Sequence, residues 1–159
     1  MKTMKYWRLG IFILVLTGVT AVWVFAQSQP KPGYVYVLSN IGSFGENMYK
    51  IGMTQRERPL DRVKELGDSS VPFAFDVHVL IATDDPRGLE RKVQDDLKEH
   101  RVNKINHRKE FFRTDLDTII AVIEKHHDQP IEVTREPQAN EYRQTLEILQ
   151  NLQMEKEKQ

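Results

Sequence analysis

Gly33-Tyr-Val-Tyr-Val-Leu-Ser39 and Met48-Tyr-Lys-Ile-Gly-Met53 are the stretches on which the fold turns. Both are rich in β-branched and aromatic residues and read as strands. Between them Asn40 to Asn47 holds Gly42 and Gly45 and makes a loop, so a hairpin is the simplest connection. Further on, Pro59 opens a short helix with Leu60, Val63 and Leu66 in register and Gly67 as its stop. Phe73-Ala-Phe-Asp-Val-His-Val-Leu-Ile81 alternates as a third strand, with Phe73, Phe75, Val77, Val79 and Ile81 on one face and Asp76 and His78 on the other. Asp84-Asp85-Pro86 caps a helix striped by Leu89, Val93 and Leu97. A polar, basic stretch from Lys98 to Lys109 leads to Phe111-Phe112, and another helix from Asp115 to about His127 carries Leu116, Ile119, Ile120 and Ile123. After a proline-flanked break, Tyr142, Leu146, Leu149 and Leu152 stripe a C-terminal helix. That stripe is too short for a coiled coil and is expected to pack on the domain. Strands interleaved with helices predict an α+β domain over residues 33–128, with a helical extension over 129–159.

Towards the N-terminus lies a different kind of sequence. Leu9 to Ala26 is apolar and uncharged, preceded by a flank with Lys2, Lys5 and Arg8 and followed by a polar, proline-broken linker over residues 27–32. As a helix rising about 1.5 Å per residue, the run spans roughly 27 Å, enough for a bilayer core. Trp7 and Trp23 stand near its ends, as interfacial aromatics do. Two readings of residues 1–26 stay open, a transmembrane anchor and a signal peptide, since Val24-Phe25-Ala26 has the small-residue geometry of a cleavage site. The first predicts a single-pass membrane protein, anchored through residues 9–26 with its C-terminal domain extracytoplasmic. The second predicts a secreted or periplasmic protein cut after Ala26.

Composition narrows the chemistry. The chain has 159 residues, 29% of them charged, and no cysteine, which excludes disulfides, thiolate metal sites and a cysteine nucleophile. Of its 23 lysines and arginines, three fall in residues 1–26, which hold no acid, so residues 27–159 carry 20 basic against 23 acidic side chains, net −3. Bulk charge therefore gives no support for polyanion binding, and any such site must be a local patch.

The paired Tyr34-Val-Tyr36 and Lys50-Ile-Gly52 resemble the two halves of the GIY-YIG signature. The ordered blocks Tyr49-Lys-Ile-Gly-Met-Thr54, Asp61-Arg-Val-Lys-Glu-Leu-Gly67, Val71-Pro-Phe-Ala-Phe-Asp-Val-His78 and Arg108-Lys-Glu-Phe-Phe112 resemble the branch of that superfamily named after a phage open reading frame and a meiotically up-regulated gene. Glu141-Tyr-Arg-Gln-Thr-Leu146 is similar to the tail that follows that domain. The resemblance implies a small three-stranded antiparallel sheet flanked by helices, preceded here by the N-terminal hydrophobic helix. It also implies phosphodiester hydrolysis on DNA with one divalent ion, Mg²⁺ or Mn²⁺. By the same resemblance Tyr36 acts on the attacking water, Arg62 faces the scissile phosphate, Glu90 holds the metal and Asn103 is a structural asparagine. Lys50 stands where the nuclease signature has tyrosine, with Tyr49 one step earlier on the opposite strand face; there Lys50 would neutralise a phosphate or lower the pKa of Tyr36. Gln94 stands one turn beyond Glu90, where this branch often has histidine.

These residue types suit phosphoryl transfer, which needs charge neutralisation and positioning more than covalent participation. A single carboxylate with several waters suits Mg²⁺, and a guanidinium fork matches phosphate geometry. Tyr49, His78, Asn103, Arg108 and Lys109 complete the candidate set as substrate-binding residues. Each also has an ordinary reading: Tyr36 as a sheet aromatic, Arg62 and Glu90 as solvated helix residues, His78 as a hydrogen-bonded structural histidine. Three functions follow: a metal-dependent DNA endonuclease, a DNA-binding module without turnover, and a membrane-tethered interaction domain.

Overall fold

The computed structural model describes residues 13–16, 19–22, 31–68 and 70–158. Two of these pieces fall inside the apolar run. Ile13–Leu16 (β1) and Val19–Val22 (β2) pair antiparallel, Leu16 opposite Val19 and Ile13 opposite Val22, where the sequence predicted one helix. No helix of the described residues is long and apolar enough to cross a membrane. The expectation of a single-pass protein anchored through residues 9–26 is overturned by these two observations. The reason lies in the side chains: Ile13, Val15, Val19, Thr20 and Val22 are β-branched, stiff at χ1, and favour strand over helix. Length and hydropathy, on which the helix was predicted, are blind to that preference. The basic flank, Trp7, Trp23 and the junction after Ala26 on which the cleaved-signal alternative rests lie outside the described residues.

The main sheet has four antiparallel strands, one more than expected, in the order β5-β3-β4-β6. Gly33–Ser39 (β3) and Met48–Thr54 (β4) pair as the sequence predicted, with Tyr36 opposite Gly52 and Leu38 opposite Lys50. A single helical turn, Ile41–Phe44 (α1), occupies their connection, capped by the Asn40 side chain. Asp76–Thr83 (β5) lies on the other side of β3. The additional strand, Phe111–Arg113 (β6), covers the edge of β4 with Phe112 opposite Tyr49. Three residues are too few to show a period of two, so Phe111-Phe112 carries no strand signal of its own.

One irregularity changes which side chains share a face. The β3–β5 register shifts between Val37 and Leu38, leaving His78 as the extra residue of a bulge. Val77 therefore joins Leu80 on one side while Val79 and Ile81 go to the other. The strict alternation predicted for residues 73–81 is broken at the bulge, with Phe75 and Val77 on one face and Val79 and Ile81 on the other.

The larger core lies under Pro86–Asp96 (α3) and Leu116–His126 (α4), whose stripes Leu89, Val93, Leu97 and Leu116, Ile119, Ile120, Ile123 meet Val35, Val37, Ile51, Val79 and Ile81. Their starts follow the sequence signals. Asp85 accepts from the Gly88 N–H at 2.9 Å ahead of Pro86, and Asp115 accepts from the Thr118 N–H at 2.7 Å. Beyond α4 the chain lays Ile131 and Val133 on the same core. A smaller cluster, Tyr36, Leu38 and Val63, packs the opposite face against Pro59–Asp68 (α2). Asn140–Glu157 (α5) docks by its first turn, with Tyr142 edge-on to Phe73 at 5.4 Å. Leu146, Leu149 and Leu152 are about half exposed, so the expected packing of the whole stripe on the domain does not occur.

Candidate active site

The α2 face of the sheet carries the polar chemistry. Tyr36 on β3 points to it, and its phenol lies flat across Gly52 on the neighbouring strand. A Cβ built on Gly52 would stand 2.7 Å from the Tyr36 hydroxyl and 2.8 Å from its ring, closer than atoms approach. Glycine at that position is what lets the phenol lie there. Lys50, one pleat along, is buried and reaches Glu110 at 2.9 Å, with its ammonium 5.4 Å from the centre of the Phe111 ring. A lysine on a covered strand face calls for such a carboxylate partner.

Arg62 comes down from α2 into the same cleft, close enough for its charge to act on the Tyr36 phenol. A long contact, 3.4 Å, ties it to Glu65 one turn on. Glu90 lies on α3 next to the buried Leu89, and its half-buried side chain lines the cleft beside Met53. Tyr36, Lys50, Arg62 and Glu90 line one cleft of about 620 Å³ together with Met53, Asp85, Arg87, Gly88, Arg91 and Glu110. The four residues singled out as catalytic are thus brought together from β3, β4, α2 and α3.

Electrostatics in the cleft is strained. Burial, then the nearby Glu110, pushes the Glu90 carboxyl up to about 7, against the pull of Lys50, Arg87 and the Met53 N–H. Burial, then Glu110, also pushes the Tyr36 phenol up to about 12, and Arg62 is the group that draws it down. Lys50 is not among the groups acting on Tyr36; its charge goes to Glu110. Near pH 7 the phenol is therefore a hydrogen-bond donor, and Glu90 shares its site between proton and charge.

The other candidates lie elsewhere. Tyr49 and His78 belong to the opposite face, ring to ring at 5.3 Å. His78 is fully satisfied there, its Nδ1 2.6 Å from the Thr134 carbonyl and its Nε2 2.8 Å from the Ser39 hydroxyl. Its structural reading describes this placement, and burial holds the imidazole below its ordinary pKa. Asn103 accepts from the Ile105 and Asn106 N–H groups at 3.0 and 2.7 Å and shapes a loop. Arg108 and Lys109 are exposed on that loop, outside the residues lining the cleft. Gln94 donates to the Ile51 carbonyl at 3.0 Å and accepts from Arg101 at 3.1 Å, a structural bridge rather than a cleft residue.

Glu110, Arg87 and Arg91 were not singled out from the sequence. For Glu110 a signal existed: it stands within Arg108-Lys-Glu-Phe-Phe112, and the buried Lys50 needed a partner. Arg87 and Arg91 flank Glu90 by one helical turn and by one residue, and they give the mouth of the cleft two exposed cations.

A family model described as the T5orf172 domain matches residues 33–127, more than half of the chain, and takes in every element from β3 to α4, including the four that supply the cleft. No curated protein and no solved structure matches significantly.

Proposed function

The chain belongs to the T5orf172 domain family, and from that premise we propose that it hydrolyses phosphodiester bonds of DNA in the cleft of Tyr36, Lys50, Arg62 and Glu90, in the manner of the GIY-YIG nucleases. The observation that carries this reading is the convergence of those four side chains, from four separate elements, on one open cleft.

The donor set fits a hard cation. Glu90 offers carboxylate oxygens, Glu110 adds a second carboxylate nearby, and the lining holds no thiolate or imidazole. Burial and then repulsion from Glu110 raise the pKa of Glu90, and a bound cation would relieve both. Glu90 would hold a hydrated Mg²⁺ or Mn²⁺ ion, which when bound supplies Lewis-acid charge for the phosphate oxygens and activates water.

The chain's own residues supply the rest. The Arg62 fork faces the cleft and suits two non-bridging oxygens of a phosphate. Lys50 neutralises a further oxygen by exchanging Glu110 for the substrate. Tyr36, facing the Arg62 charge and lying over Gly52, orients the attacking water through its hydroxyl. Hydrolysis forms one P–O bond to that water and breaks the P–O bond to the leaving strand, and the water's proton must leave to a base. A phenol at about 12 does not take it unaided. That same fact favours a second reading, DNA binding without turnover.

Incubating the full chain with end-labelled single- and double-stranded DNA, with Mg²⁺ or with EDTA, separates the two. Metal-dependent cleavage that falls about 100-fold or more in Glu90→Gln, with binding retained, is the expected result. Cleavage indifferent to that change rejects the assignment of Glu90. Salt-sensitive binding without any cleavage selects the second reading.

A further inference from the structure

Between the 3₁₀ turn at Lys98–His100 and β6 the chain throws out a loop whose tip is Ile105, 94% exposed and the most exposed large apolar side chain among the described residues. A lone exposed isoleucine needs no explanation; a lone exposed isoleucine on a loop fixed from every side does. The base is closed by the bridge of Arg101 to Phe112 and by the Val102 N–H on the Phe111 carbonyl at 2.9 Å. The buried Arg101 guanidinium lies 4.8 Å over Phe112 and donates to the His107 carbonyl at 3.0 Å. Lys104 turns inward to the Lys98 and Glu99 carbonyls at 3.3 and 2.7 Å. Asn103 caps Ile105 and Asn106, and Asn106 in turn accepts from the Arg108 N–H at 3.0 Å.

The charge around the tip has one sign. Residues 102–109 contain Lys104, Arg108 and Lys109 and no acid. Arg108 and Lys109 are exposed and form no salt bridge among the described residues. The nearest acids in sequence are Glu110, paired with Lys50, and Glu99 at the base. Glu110 is also the residue by which the loop runs into the cleft.

We propose that this loop is a nucleic-acid wedge: Ile105 inserts at a base step of a duplex while Arg108 and Lys109 hold the flanking phosphates, presenting the distorted strand to the cleft. The proposal rests on the DNA reading above and adds its substrate class, a duplex that is bent or locally unstacked. Apolar wedges flanked by cations pry base steps apart, and a step already unstacked opposes this less. A preorganised loop loses little entropy on insertion.

The test measures binding of the full chain, in EDTA so that no strand is cut, to an intact duplex, to the same duplex with one bulged base, and to phosphatidylglycerol vesicles. The wild type is expected to bind the bulged duplex about tenfold more tightly than the intact one. Ile105→Ala is expected to abolish that preference with the salt dependence unchanged. Arg108→Ala and Lys109→Ala are expected to keep the preference and to flatten the salt slope by about one each. A wild type that binds both duplexes equally, or a preference that survives Ile105→Ala, overturns the wedge and leaves the DNA reading standing. No binding to either duplex at low salt overturns the DNA reading and the wedge with it. Loss of vesicle binding in Ile105→Ala, with DNA binding unchanged, overturns the wedge in favour of a lipid contact.

Discussion

On one face of the main sheet Val35, Val37, Ile51, Val79 and Ile81 are sealed beneath two helices, and the polar groups that do enter, Tyr49 and His78, are packed or fully hydrogen-bonded. On the other face the same two central strands present Tyr36, Leu38 and Lys50 to one short helix, and beyond Val63 the cover stops at an open cleft. Adjacent residues thus meet opposite fates: Tyr49 is core, Lys50 lines the cleft. The difference teaches that position in the pleat, more than residue type, separates a structural tyrosine or histidine from a candidate catalytic one.

Substitutions that hit one face alone make this division measurable. The largest effect is expected from Ile123→Ala, which empties a fully buried position of the α4 stripe. It should lower unfolding free energy in urea by about 2–5 kcal/mol, while cleavage per folded molecule stays unchanged. Arg62→Ala should do the reverse. DNA cleavage is expected to fall about 100-fold or more, with stability moved by less than about 1 kcal/mol, since the guanidinium is partly exposed and its contact to Glu65 is long. If both variants lost stability and activity together, the two faces would not be separate in function.

Gly52→Ala sharpens the comparison at the point where the cleft touches the backbone. Its new methyl would collide with the Tyr36 ring, and the phenol must move. Overpacking of this kind costs about 1–3 kcal/mol. Both urea stability and cleavage are therefore expected to drop, and a wild-type cleavage rate would show that the position of the phenol over Gly52 is irrelevant to the chemistry.

Much of this arrangement was legible in the sequence. The β3–β4 hairpin follows from its β-branched and aromatic runs, and α3 and α4 from Asp-capped starts and 3.6-residue stripes. Once β3 and β4 pair, Tyr36 and Lys50 must share a face. What was not legible depended on features without a local signal. The bulge at His78 reverses one strand's facing and cannot be told from a continuous alternation. Strand β6 is too short to announce itself, so Glu110 was not carried to the cleft. In the N-terminal run, hydropathy spoke for a helix and β-branching for the strands β1 and β2, and hydropathy was the wrong guide. The placement of Asn103, Arg108 and Lys109 on a loop outside the cleft needed the backbone, because proximity in sequence to Glu110 is no measure of reach.

The smallest expected effect is a pH dependence whose sign differs between the faces. Burial holds the His78 imidazole below its ordinary 6.5, so its contribution to stability is whole above about 6.5 and is lost as pH falls through the folded value. Burial and Glu110 raise the Glu90 carboxyl from 4.5 to about 7, so its contribution is whole below about 4.5 and is lost as pH rises through about 7. Between these limits the two groups oppose each other within one domain. Urea midpoints in EDTA at pH 7.5 and 5 should therefore move in opposite directions in the two variants, each taken relative to the wild type. His78→Gln should gain on the wild type upon acidification, because the wild type is losing the neutral imidazole's share. Glu90→Gln should fall behind, because the wild type is relieving a buried, repelled carboxylate. Adding Mg²⁺ at pH 7.5 should raise the wild-type midpoint and leave Glu90→Gln where it was, since an ion at Glu90 binds the folded state alone. Equal shifts of one sign in both variants would mean that neither face holds its titrating group as the geometry requires.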